Sequence, residues 1–242
     1  MKLQFSIEVG SYMKRFRFIR WKVCVGFIFS FLFLPDDSDA TVAGCVKPLV
    51  VLDAGHGGKD NGASFGNFLE KRVNIITALL TKRHLEGLGY RVIMTRSKDI
   101  FISLVRRVEI ASQVKADIFV SIHFNSSKNR QAEGIEVYYY SSKPLPRNRA
   151  SQQLANCVLT RLADQTEANS RGVKAGNFHV IRETSMPAVL VEGGFITNAQ
   201  ERQKIRQRTY LDQIALGVAQ GIDNYFKMNK CPRRELNARP AA

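Results

Sequence analysis

Short runs of consecutive apolar residues alternate along the chain with longer stretches in which apolar positions recur every three or four residues. The runs at 49–53, 91–95, 117–122, 134–140, 177–181 and 188–192 predict strands. Helices are predicted at 70–88, 104–114, 150–166 and 200–226, the first with Val73, Ile76, Leu80 and Leu88 roughly on one face. This order predicts an α/β fold, a single three-layer α/β/α domain over 45–228 with a mostly parallel central sheet of about six strands. Several of the strand runs are almost wholly apolar, as expected of strands covered on both faces. The stretch 229–242, with Pro232, Pro240 and few apolar residues, is expected to be a flexible basic tail.

The first part of the chain breaks this rhythm. Lys14, Arg15, Arg17, Arg20 and Lys22 precede an apolar run over 23–34, a basic region followed by a hydrophobic one. Twelve helical residues span about 18 Å of a roughly 30 Å hydrocarbon core, so export is favoured over a stable membrane span. Residues 1–44 are therefore expected to be a signal peptide or N-terminal membrane anchor. Cuts are expected near Ala40 or Ala43, and Val42-Ala43-Gly44-Cys45 resembles a lipoprotein box set off from the apolar run by the segment 35–41. The destination is the periplasm or cell envelope.

Composition then narrows the partners. The 242 residues carry 36 Lys and Arg against 21 Asp and Glu, a formal charge of +15, and the chain stays strongly basic once 1–44 are removed. Anionic cell-envelope polymers are the expected partners of such a surface. Nucleic acid is excluded, because no basic stripe with interleaved aromatics appears in a chain bound for export. Four cysteines, Cys24, Cys45, Cys157 and Cys231, form no C-x-x-C pair and cannot staple a fold of this length.

The chemistry-bearing residues lie at strand ends. The run 49–53 leads into His56, 118–122 into His123, and 189–191 into Glu192. If those strands are parallel, their carboxyl ends share one sheet edge, where open α/β sheets build sites. The Gly55-His56-Gly57-Gly58 loop lets backbone approach whatever His56 holds, or is simply a tight turn. Glu70 opens the first long helix, where a carboxylate suits the exposed amides with or without a metal. Two imidazoles and one carboxylate make a catalytic zinc set, and Glu192 suits the proton-transferring carboxylate such a site needs. His84 falls inside a helical pattern and His179 in a strand-like run with no second metal-type residue beside it.

Several stretches together resemble one family. Val51-Leu52-Asp53-Ala54-Gly55-His56-Gly57-Gly58, Glu70-Lys71, Thr95-Arg96 with Asp99, Leu104 with Arg107, Ser121-Ile122-His123-Phe124-Asn125 and Val191-Glu192-Gly193-Gly194-Phe195 with Asn198 are similar to the zinc-dependent N-acetylmuramoyl-L-alanine amidases of bacterial cell-wall remodelling. The resemblance runs from about 49 to 226. It implies that His56, Glu70 and His123 hold one Zn2+ and that Glu192 is the catalytic carboxylate. The bond cut is then the amide between the lactyl group of N-acetylmuramic acid and the L-alanine of the stem peptide, in peptidoglycan or its fragments, during wall remodelling and cell separation. Arg107 and Asn125 match the pattern in supporting positions; Phe124 and Arg72 depart from it without touching a proposed ligand. Several relatives insert a blocking helix where only 141–149 stands here, which implies an open site; a monomer without a separate wall-binding domain is also expected.

A competing chemistry also appears. Ser112-Gln113-Val114-Lys115, Ser127-Lys128-Asn129 and Lys174-Ala175-Gly176 reproduce the S-x-x-K, S-x-N and K-x-G elements of penicillin-sensitive acyl-serine enzymes. They suggest a D-alanyl-D-alanine carboxypeptidase through Ser112 and Lys115, although these two fall at a helix end rather than a helix start. A non-catalytic wall-binding module is a third alternative, opposed by the presence of all four metal and proton-transfer residues.

Overall fold

The computed structural model describes residues 47–141 and 146–229. The leader 1–44 with its cut sites, Cys45, residues 142–145 of the short gap, and the tail from 230 with Cys231 lie outside the described residues.

The elements in chain order are β1 (Leu49–Ala54), β2 (Ser64–Phe65), β3 (Phe68–Leu69), α1 (Glu70–Gly87), β4 (Arg91–Met94), α2 (Leu104–Gln113), β5 (Ile118–Asn125) and β6 (Ile135–Tyr139). They continue with α3 (Pro146–Thr166), β7 (Ser170–Ala175), α4 (His179–Arg182), β8 (Ala188–Phe195), α5 (Ala199–Ile205) and α6 (Arg208–Met228). The six-stranded sheet has the order β4-β1-β5-β8-β6-β7, and β2 and β3 form a separate hairpin. β4, β1, β5 and β8 pair in parallel. β6 pairs antiparallel with β8 and parallel with β7, so the last two strands run the other way.

Two apolar layers hold this sheet. Val50, Leu52, Ile118, Val120, Val189 and Val191 face a core shared with Leu80 of α1, Leu154 and Val158 of α3, and Ile214 and Val218 of α6. Val51, Phe119 and Leu190 point the other way, against Ala111 of α2 and Val180 and Ile181 of α4. α3 and α6 cross so closely that a methyl group at Gly217 or Gly221 would lie 2.7 Å or 2.4 Å from the Cα of Leu162 or Val158.

Side chains alternate between the faces of a strand, and this alternation decides where the chemistry goes. Asp53, Ser121, His123, Glu136 and Glu192 follow Val51, Phe119, Tyr138 and Leu190 onto the α2 and α4 side. β1, β5 and β8 then deliver their polar ends to one edge.

Two expectations fail. The segment 177–181 is no strand: the sixth strand is Ser170–Ala175, and Phe178, Val180 and Ile181 belong to the approach and first turn of α4. The long helix expected over 200–226 is two helices, broken between Ile205 and Arg208. α5 starts on an Asn198 side chain that accepts from the amides of Gln200 and Glu201, a regular N-cap. Among the described residues no helix is long and apolar enough to cross a membrane.

Candidate metal centre

His56 lies just beyond β1 with a φ of 60°, a left-handed conformation that costs a non-glycine residue roughly 1–2 kcal/mol. Its surroundings fix it there. Arg107 donates to the His56 carbonyl at 2.7 Å and to that of Ala54 at 2.8 Å. Arg96, almost fully buried, donates to Ala54, Gly55 and Lys71 carbonyls. The His56 Nδ1 lies 2.8 Å from Asp60 Oδ2, leaving Nε2 directed at Glu70 Oε2, 3.2 Å away.

Glu70 is the first residue of α1 and is buried. Its Oε2 accepts from the Ala63 amide at 2.8 Å, and its Oε1 lies 2.8 Å from His123 Nδ1 and accepts from Asn74 Nδ2 at 3.1 Å. Burial alone would raise its carboxyl, but the hydrogen bonds and charges of His123 and His56 outweigh that and hold it far below the usual carboxylate range. For His56 burial disfavours the charged ring, and Glu70 and Asp60 more than offset it, so its pKa is raised.

The two imidazoles meet edge to face, with ring centroids 4.9 Å apart. One ligand atom from each of His56, Glu70 and His123 lies within 4.8 Å of the other two. Ligands about 2.1 Å from a tetrahedral zinc stand about 3.4 Å apart, so small adjustments of this cluster suffice to surround an ion. Two glycines make the packing feasible. A Cβ at Gly55 would lie 2.2 Å from the His123 ring, and one at Gly62, whose φ is +64°, would lie 2.5 Å from both Glu70 and His56.

Glu192 on β8 is the register partner of His123 on β5. Its side chain is buried, and its Oε2 has no hydrogen-bond partner. Burial, then the charges of Glu70 and Glu136, push its carboxyl well above the usual range. A cavity of about 390 Å³ brings His56, Glu70, His123 and Glu192 together, with Leu104, Phe178 and Val180 among its apolar walls. A second hollow of about 370 Å³ adjoins it and shares His56, His123, Leu104 and Val180.

These four residues stand around one space, His56, His123 and Glu192 from strand ends and Glu70 from the start of α1. Residues 50–224 match the family model described as N-acetylmuramoyl-L-alanine amidase. The chain belongs to that family.

Among its relatives, the N-acetylmuramoyl-L-alanine amidase LytC of Bacillus subtilis (strain 168) is 36% identical over 182 residues, covering 75% of this chain. The match spans only 36% of the length of LytC. The uncharacterised protein YqiI of the same organism is 37% identical over 177 residues, 73% of this chain and 84% of YqiI. The solved catalytic domain of CwlV, an N-acetylmuramoyl-L-alanine amidase from Bacillus (Paenibacillus) polymyxa var. colistinus, is 41% identical with a TM-score of 0.69. That match covers 74% of this chain and 98% of the CwlV domain.

Other residues of this amidase domain fall less simply. Asn125 lines the cavity and donates to Glu136 Oε1 at 2.7 Å, steadying the acid beside Glu192. Ser112 and Lys115 sit at the end of α2 and just past it, before β5 begins, and line neither hollow. Ser127 lies beyond the other end of β5, and Lys174 pairs with Glu136, so the three acyl-serine elements do not assemble. His84 pairs with Asp212 on the surface at 2.9 Å. His179 does reach the cavity, because 177–181 turns into α4 instead of joining the sheet.

Asp60 and Glu136 escaped the reading of the sequence. Asp60 stands four residues after His56, a spacing that could have flagged it. Glu136 sits two positions before Tyr138 on β6, and strand alternation would have put it on the face of Glu192 had the pairing of β6 with β8 been known.

Proposed function

We propose that the protein is a zinc-dependent amidase of peptidoglycan that hydrolyses the amide joining the lactyl group of N-acetylmuramic acid to the L-alanine of the stem peptide. One observation carries the reading: a His56, Glu70 and His123 donor cluster and an unpartnered Glu192 oxygen share one cavity. The donor set suits zinc, since two imidazoles and a carboxylate leave a fourth position for water, and a buried carboxylate oxygen without a protein partner is free to take up a proton. Bound there, zinc supplies an acidified water and polarises the carbonyl under attack.

The rest of the work belongs to the chain. Asp60, by accepting from His56 Nδ1, fixes the tautomer that presents Nε2, and the Ala63 amide and Asn74 orient Glu70. Glu192 takes the proton of the attacking water on Oε2 and returns it to the amide nitrogen as the bond to carbon breaks, releasing a carboxylate and the free amine of L-alanine. Its raised carboxyl suits the second half of that shuttle, when it must hold the proton. Leu104, Phe178 and Val180 give the cavity an apolar flank for the substrate to pack against. In this reading 45–228 act outside the cytoplasm, delivered by the leader, and the basic surface draws the protein to anionic envelope polymers.

Mass spectrometry of muropeptides after digestion of purified walls tests the proposal. The expected products are stem peptides with a free L-alanine amino group, abolished by a chelator and restored by zinc. New glycan reducing ends, or free D-alanine as the sole product, would contradict it.

A further inference from the structure

Three arginines converge on the hairpin that leads into Glu70. The Arg202 guanidinium lies 3.9 Å from the centre of the Phe65 ring, and Arg130 lies 5.1 Å from the same ring. Arg206, one turn beyond Arg202, lies 5.7 Å from Phe68. Phe65 and Phe68 are register partners across β2 and β3, so all three cations share one small aromatic platform.

Among the described residues no acid forms an ion pair with Arg130, Arg202 or Arg206, whereas Arg83, Arg106, Arg107, Arg161, Arg171 and Arg182 are ion-paired. The two acids nearest in sequence are engaged elsewhere. Glu201 accepts from the Gly134 and Phe195 amides, and Glu133 accepts from Asn169. Arg202 is held by the Ile196 carbonyl at 2.8 Å, which keeps it in place beside like charges. The ring faces stabilise the cations only in part, and leave guanidinium forks suited to a planar carboxylate.

The hairpin ties this patch to the reaction centre. It begins after Ala63, which lines the cavity and donates to Glu70, and it ends at Glu70 itself. None of the three arginines lines the cavity itself, so an anion gripped here would sit on a substrate arm that extends past the cavity along this hairpin.

We propose that Arg130, Arg202 and Arg206 form a subsite for a carboxylate of the substrate's stem peptide, and so select acidic over amidated stems. This rests on the amidase reading, which puts that peptide next to the bond cut.

The test is equilibrium binding of the full chain to a fluorophore-labelled L-alanyl-γ-D-glutamyl peptide and to its α-carboxamide twin, neither of which contains the scissile bond. The expected result is about tenfold tighter binding of the carboxylate form. In R130Q/R202Q/R206Q that preference should disappear, and in R130Q/R206Q, which spares the arginine held by backbone, it should fall at least about threefold. Equal binding of both peptides by the unaltered protein, or a preference kept in both variants, overturns the proposal. So does binding of inorganic polyphosphate with no binding of either peptide, which would make the patch a phosphate-polymer site. A protein that shows the carboxylate preference yet leaves walls uncut would overturn the amidase reading alone.

Discussion

Asp53 on β1 and Glu192 on β8 are buried carboxylates on the same face of the same sheet, and their surroundings differ in kind. Asp53 accepts from Thr95 at 2.6 Å, from Ser121 at 2.7 Å and from Arg107 at 2.6 Å. Burial alone would raise its carboxyl, but Arg107 and these hydrogen bonds outweigh burial and hold it below the usual range. Glu192 has an oxygen with no partner, and burial together with Glu70 and Glu136 pushes it up. The first corner is closed: Arg107 joins Asp53 to the carbonyls of Ala54 and His56 and so sets the loop that presents His56. The second is left open, and an open buried acid is what a proton-transfer step uses.

Substitutions should separate the two corners. Glu192→Gln keeps the volume and removes the proton shuttle, so wall digestion should fall by about 10² to 10⁴ while the melting temperature holds or rises. Substantial unfolding instead would mean that Glu192 is a structural acid like Asp53. Asp53→Ala should do the reverse. It strands the Arg107 charge in the interior and should cost about 3–5 kcal/mol in urea unfolding; a loss within experimental error would show that the closed corner carries no stability. Asp60→Ala touches neither acid but frees the His56 ring and the Gly62 amide that Asp60 also holds, which should weaken zinc binding about 10- to 100-fold by competition with a chromogenic chelator.

Acidity should sharpen the contrast in metal-free protein. The native Asp53 carboxyl lies below its ordinary 3.8, so its stabilisation is present above that value and lost as pH falls through the native one. Glu192 lies above its ordinary 4.5, so its contribution is full below that value and lost as pH rises through the native one. Urea melts at stepped pH should therefore show that Glu192→Gln abolishes the loss of stability on the alkaline side only. An unchanged slope would remove the argument from burial. The smallest effect belongs to Ser112→Ala, an exposed position at the end of α2, which should leave stability within about 0.5 kcal/mol and wall digestion unaltered. Penicillin labelling lost in that variant would revive the acyl-serine chemistry.

What the amino-acid pattern revealed follows burial. β1, β5 and β8 are covered on both faces, their apolar runs are nearly unbroken, and the residues after those runs were legible as one site. The place of Glu70 at the start of α1 was equally consistent with helix charging, and only the family resemblance pointed to a metal ligand there. β7 is half exposed and reads Ser-Arg-Gly-Val-Lys-Ala, so no apolar run marked it, and the more apolar Phe178, Val180 and Ile181 drew the strand assignment to α4 and its approach, part of which lines the cavity. The break between α5 and α6 was hidden because Arg206 and Gln207, which separate the two helices, are neither Gly nor Pro and carry no helix-stop signal. Strand direction is set by pairing between distant segments, so nothing in 134–140 announced that β6 runs against β8 and brings Glu136 beside Glu192.

The central claim is that His56, Glu70 and His123 hold a single zinc ion while Glu192 faces it without binding it. Metal content after dialysis against limiting zinc, measured on the unaltered chain, His56→Ala and Glu192→Gln, tests it most directly. The account predicts one zinc per chain in the first and third proteins and almost none in the second. Full zinc in His56→Ala, or equal loss in both variants, would contradict it.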